Sequence, residues 1–164
     1  RNNLKNELNK IKNYLTNKKK ISSEEILKII NLSENYELAK LIDNCLAKNK
    51  GKIISILNEN NYNTDDCIII LRTFLSKTKR ILKLAVELEQ NKDINKTINS
   101  ARPPIFWKDK EIVKIQLNKW RPNQLKKLII DIGNIELELK KNYNNSILLI
   151  TNFIFEQSFS KINN

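Results

Sequence analysis

The chain has 164 residues, with 30 Lys+Arg against 18 Asp+Glu, a formal net charge of +12. It holds no His, no Met, two Gly, three Pro and two Cys. These counts exclude a histidine general base or metal ligand, a disulfide framework or four-thiolate zinc site, and a glycine-rich phosphate loop, since Gly51 and Gly133 stand far apart.

The first expected element carries Leu4, Leu8, Ile11 and Leu15 on one helical face. Lys18-Lys19-Lys20 breaks it, and Ser22 to Glu25 offers a capping box before Ile26, Leu27, Ile29 and Ile30. A further helix carries Leu38, Leu41, Ile42, Cys45 and Leu46, and a short one after Gly51 carries Ile53, Ile54, Ile56 and Leu57. Residues 58–63 form a loop by composition. Thr64 at the cap, with Asp65 and Asp66 in the first turn, starts the longest helix. Its expected apolar face is Ile68, Leu71, Leu75, Leu82, Ala85 and Leu88. A short polar helix spans Ile94 and Ile98. Ala101-Arg102-Pro103-Pro104 then makes an extended joint, because residues before Pro avoid the helical region. Ile112, Ile115 and Leu117 mark a helix ending near Trp120. Pro122 suits the first turn of the next, which carries Leu125, Leu128, Ile129, Ile132 and Ile135 toward Leu139. Asn142 to Asn145 breaks it, and Ile147, Ile150, Phe153 and Ile154 belong to the last helix. No Asn-Gly or Asp-Gly turn exists to close a hairpin, so the expected fold is an all-α helical bundle.

No apolar run approaches the roughly 18 residues of a membrane span, and no signal peptide opens the chain. Without an initiator Met, the chain reads as a piece of a longer protein cut at its N-terminal end. Lys, Asn and Ile make nearly half of it, and only five residues are Arg. An AT-rich genome writes such a sequence, so part of the positive charge is codon drift.

Little in the chain offers catalysis. The acids Glu24-Glu25, Asp65-Asp66, Asp109, Glu111, Glu136 and Glu138 sit at expected helix starts or polar faces. Cys45 and Cys67 fall on apolar faces and read as buried and inert. Neither a cofactor nor a catalytic residue is expected. Lys77, Lys79, Arg80 and Lys83 form a candidate DNA-contact stripe, and Lys108, Lys110, Lys114 and Lys119 a second. A solvated helix face is the favoured reading of both stripes over a binding surface. The most distinctive segment runs from Ala101 to Trp120 and holds two Pro, a Phe and both Trp. It reads as a rigid joint whose aromatics plug the core, or as an aromatic interaction surface.

That segment resembles a known family. Ala101-Arg102-Pro103-Pro104-Ile105-Phe106-Trp107-Lys108, a helix ending at Trp120, and Glu136-Leu137-Glu138-Leu139-Lys140 are similar to the C-terminal part of the delta subunit of bacterial DNA polymerase III. Upstream, Arg1 to Lys10 is similar to the helix closing that family's lid domain, and Ile21 to Ile26 resembles the start of its next segment. Tyr36 to Leu57 looks like the opening helix pair of the collar, and Leu71-Arg72 with Arg80-Ile81-Leu82 is similar to its long third helix. The resemblance implies the end of a small helical lid over residues 1–33 and a collar domain over 34–164. It implies a subunit that hydrolyses nothing and assembles in a cytoplasmic pentamer with the gamma/tau motor subunits and delta-prime. It would reach the sliding clamp through an N-terminal domain not in this chain, and DNA through the assembled complex, with no membrane partner. Arg102, Pro103, Pro104, Phe106, Trp107, Trp120, Glu136 and Lys140 are the candidate interface or structural residues. The alternative is a basic all-helical nucleic-acid-binding domain.

Overall fold

The computed structural model describes residues 8, 9, 11–13, 15, 22, 32–60 and 62–159. Residues 8, 9, 11–13 and 15 are helical, as the first apolar face requires. Leu4, Glu25 and most of the segment read as the end of a lid lie outside the described residues. The chain divides into two compact units, Arg1–Leu38 and Ala39–Asn164. The account below concerns the second.

Every regular element among the described residues is helical: α1 (Leu32–Leu46), α2 (Lys50–Glu59), α3 (Thr64–Asn91), α4 (Ile94–Ser100), α5 (Lys110–Lys119), α6 (Pro122–Lys141) and α7 (Ser146–Phe159). Single 3-10 turns at Trp107–Asp109 and Tyr143–Asn145 lead into α5 and α7. The chain is thus an all-α bundle.

Local chemistry sets the boundaries. The α1–α2 turn closes with Lys48 N–H donating to Cys45 O and Asn49 N–H to Asn44 O, both at 2.9 Å. This paired arrangement requires a left-handed residue, and Lys48 takes that role at φ 54°. Helix α3 begins one residue earlier than Thr64 suggests. Asn63 is the cap: its side chain accepts from Asp65 N–H at 2.9 Å and Asp66 N–H at 3.1 Å, while Asp66 accepts from Asn63 N–H at 2.8 Å. A short Asn side chain reaches those amides as well as Thr does. At its other end Lys92 takes the left-handed conformation, φ 55°, and donates to Leu88 O. Pro122 opens α6, and Gln124 Oε1 accepts from Arg121 N–H at 2.9 Å.

Helix α3 is the spine. It packs chiefly against α6 and also against α4, α5 and α7. Its buried face is Cys67, Ile70, Leu71, Phe74, Thr78, Ile81, Leu84 and Ala85. That face is rotated from the expected one. Leu71 and Ala85 are shared, but Ile68 is exposed and Leu75, Leu82 and Leu88 are half-buried. The run Ile68-Ile69-Ile70-Leu71 puts apolar groups on every side, so periodicity alone does not choose. Phe74, fully buried edge-on to Phe153 of α7 with ring centroids 5.6 Å apart, shows which side faces the core. Leu125, Leu128 and Ile132 of α6 and Ile150 and Ile154 of α7 complete the interior. No helix of the described residues is long and apolar enough to cross a membrane.

Candidate functional site

The basic stripe on α3 and the Pro-Pro joint, separate in sequence, meet in space. Pro103 and Pro104 carry no N–H, so this stretch offers carbonyls without donors of its own. Arg80 supplies them: its Nη2 donates to Pro103 O and Pro104 O, both at 3.2 Å. Lys83, nearly one turn further, brings Nζ to 3.5 Å from Arg102 O. The Arg102–Pro103 peptide bond is cis. Buried Ala101 and Ile105 anchor the two ends of the joint, while Arg102, Pro103 and Pro104 stay exposed.

The remaining stripe residues divide. Lys77 points the other way and pairs with Asp43 of α1, Nζ to the two carboxylate oxygens at 2.7 and 2.8 Å. Gln116 of α5 joins them, donating Nε2 to Asp43 O at 3.0 Å. Lys77 is therefore a tie between helices and not part of an outward stripe. The sequence pattern failed here because Lys77 and Lys83 differ by six residues, which sets them about 120° apart around a helix of 3.6 residues per turn. Lys79 alone of the four remains exposed with no role inside the fold that the hydrogen-bond pattern records.

The aromatics of the motif also divide. Phe106 and Trp107 do not plug the core. They are 57% and 69% exposed, side by side with ring centroids 5.7 Å apart, on the 3-10 turn that Asp109 N–H closes onto Phe106 O. Lys108 Nζ lies 5.2 Å from the Trp107 ring. Trp120 behaves oppositely. It is 7% exposed, and its Nε1–H donates to Leu46 O at 2.6 Å, satisfying one of the free carbonyls at the end of α1. Lys48 Nζ sits 4.6 Å over the same ring, and burial lowers its pKa from the usual lysine value.

In the second stripe Lys114 pairs with Glu111 at 2.7 Å, and Lys110 donates to Asn99 Oδ1 at 2.7 Å. Glu136 and Lys140 form an exposed ion pair one turn apart on α6, at 2.8 Å. The hydrogen bond from Lys140, with its charge, lowers the Glu136 pKa below the usual carboxylate value, and Arg72 adds to this. These three line a groove of about 170 Å3 between the start of α3 and the end of α6, with Ile68, Leu139 and Tyr143. Tyr143 Oη donates to Asp65 Oδ1 at 3.3 Å, and that carboxylate raises its pKa.

Both cysteines are free and buried. Burial pushes the Cys45 thiol up to about 12, against the hydrogen bond that Ser158 Oγ donates to its sulfur at 3.2 Å. Such a thiol stays protonated and unreactive at neutral pH. Among the described residues no group of three or more Cys, Asp or Glu side chains could hold a metal ion.

Sequence reasoning missed Asp43 and Gln116, which fix the α1–α3–α5 corner, and Lys48 at the turn. A polar residue on an otherwise apolar helix face, as Gln116 is between Val113 and Leu117, was the available signal. No protein-family model matches the chain, and no curated protein or solved structure matches it either.

Proposed function

We propose that this chain is the C-terminal helical module of a clamp-loader delta subunit, a scaffold for subunit assembly in bacterial DNA replication and not a catalyst. The observation that carries the reading is the Arg102–Trp107 joint. This part of the motif is one braced unit, held by Arg80 and Lys83 against the spine helix, and it presents two aromatic side chains to solvent. Exposed, preorganised aromatics are typical anchors of protein interfaces. In this role the module keeps the subunits in order while ATP-driven changes in its neighbours reach the clamp-opening domain.

The test is reconstitution. The chain, mixed with purified motor and delta-prime subunits of the same source, should co-elute with them in one complex. Elution of the chain alone at micromolar concentration contradicts the reading.

One observation favours a second reading, direct contact with single-stranded DNA. Trp107 with Phe106 and Lys108 combines stacking surface with a cation. Base stacking on an aromatic contributes about 1–3 kcal/mol per base. The stripe itself supports this less than the sequence implied, since Lys77, Arg80 and Lys83 are engaged within the fold. An oligothymidine titration should quench Trp107 fluorescence at low salt and weaken steeply as salt rises. Absence of quenching at low salt removes this reading and leaves the scaffold one.

A further inference from the structure

The outward face of α6 carries a mid-helix glycine that nothing among the described residues explains. Gly133 is exposed, its φ is negative, and a Cβ built there meets no atom within 4 Å. A glycine in a helix interior destabilises it relative to alanine. Among the described residues, neither a turn nor a neighbouring helix requires it.

Its surroundings on the same face are apolar and uncovered. At 100° per residue, Ile130, Gly133 and Leu137 share one side of the helix. Ile130 is 63% exposed and Leu137 57%. Glycine between two large apolar residues leaves a notch with knobs above and below it. That shape lets a second helix approach closely, because interaxial distance is set by the side chains at the contact. Lys126, Lys140 and Lys141 flank the notch, all exposed, and Glu136 beside it is paired with Lys140.

We propose that this face is a docking surface for a helix of a neighbouring clamp-loader subunit. The incoming helix has an apolar stripe centred on Gly133 and Asp or Glu at its flanks. A second copy of this chain does not fit the charge. It would bring the same three lysines against one another, on a molecule already at +12. The inference rests on the clamp-loader reading and adds to it the face that makes the contact.

The experiment titrates the chain into the purified motor and delta-prime subunits and reads assembly by sedimentation velocity, with melting temperature as the fold control. Ile130→Glu with Leu137→Glu should weaken assembly at least tenfold while the melting temperature stays near that of the wild type. Gly133→Ala should raise the melting temperature by about 2–4 °C and yet weaken assembly at least threefold. Ile54→Glu, an exposed apolar position on α2, should change neither. Reversing Lys126 and Lys141 to Glu should weaken assembly and flatten its salt dependence. Wild-type assembly by the Ile130→Glu/Leu137→Glu variant overturns the face and leaves the clamp-loader reading standing. Failure of the wild-type chain to assemble overturns both. Self-association that the same pair of substitutions abolishes overturns the choice of partner.

Discussion

Trp107 and Trp120 bracket helix α5 and meet opposite environments. Trp120 follows the helix directly and finds an unpaired carbonyl, Leu46 O, at the end of α1, so its indole has both a polar partner and an apolar bed. Trp107 precedes the helix on a one-turn 3-10 element at the end of a joint that lacks donors, and it stands in solvent beside Phe106. Burying an indole requires a home for its N–H. The corner supplies one, whereas the carbonyls of the joint are already taken by Arg80 and Lys83. One half of the motif thus secures the fold, and the other half, braced by Arg80, is held out in solvent.

The largest effect that tests this division is at the corner. Trp120→Ala should destabilise the chain by about 3–5 kcal/mol, read from urea unfolding. Trp120→Phe, which keeps the ring and loses the bond to Leu46 O, should lose about 1–2 kcal/mol. A near-neutral Trp120→Ala would mean that the corner is not what holds α1 to α5.

Buried chemistry predicts a pH effect on the same side of the molecule. The Cys45 thiol is about 12 in the fold against about 9 when free. Above pH 9 the unfolded chain therefore binds fewer protons than the folded one, and stability falls as pH rises toward 12. The slope from this group is at most about 1.4 kcal/mol per pH unit. Urea midpoints at pH 8 and pH 10 should differ, and Cys45→Ala should shrink the difference. An equal alkaline loss in the variant would assign it to another group.

Smaller effects belong to the joint. Arg80→Ala removes two hydrogen bonds to Pro103 and Pro104 carbonyls, at a stability loss of about 1 kcal/mol. The sharper readout is amide exchange at Ile105 to Trp107, which should quicken severalfold, while exchange in the α3 core stays unchanged. Trp107→Ala should move stability by less than about 0.5 kcal/mol, as surface substitutions do. A loss of several kcal/mol there would show that the ring is packed and that the contrast between the two tryptophans fails.

The helices and the all-α class were legible because apolar spacing, capping residues and the prolines agree along most of the chain. Which side of α3 faces inward was not. Its apolar residues surround the helix at Ile68 to Leu71, and the choice falls to the packing of Phe74 against Phe153, a contact between positions far apart in sequence. The joint was legible as extended, from Pro103 and Pro104. That Arg80 and Lys83 brace it was not, because long cationic side chains reach whatever carbonyl is near, and spacing does not name it. Lys77 misled for the same reason, being one stripe member by sequence and an Asp43 partner in space. Trp107 and Trp120 have the same residue type in the same motif, and only the position of Leu46 O separates their fates.

The central claim is that Trp107 is held out to be covered by a partner. The direct measurement is acrylamide quenching of tryptophan emission in the Trp120→Phe variant, where Trp107 is the chain's sole tryptophan, free and in complex with the motor and delta-prime subunits or with oligothymidine. Trp107 should be fully quenchable in the free chain and at least threefold protected in one of the complexes. Equal quenching free and in every complex would contradict the account.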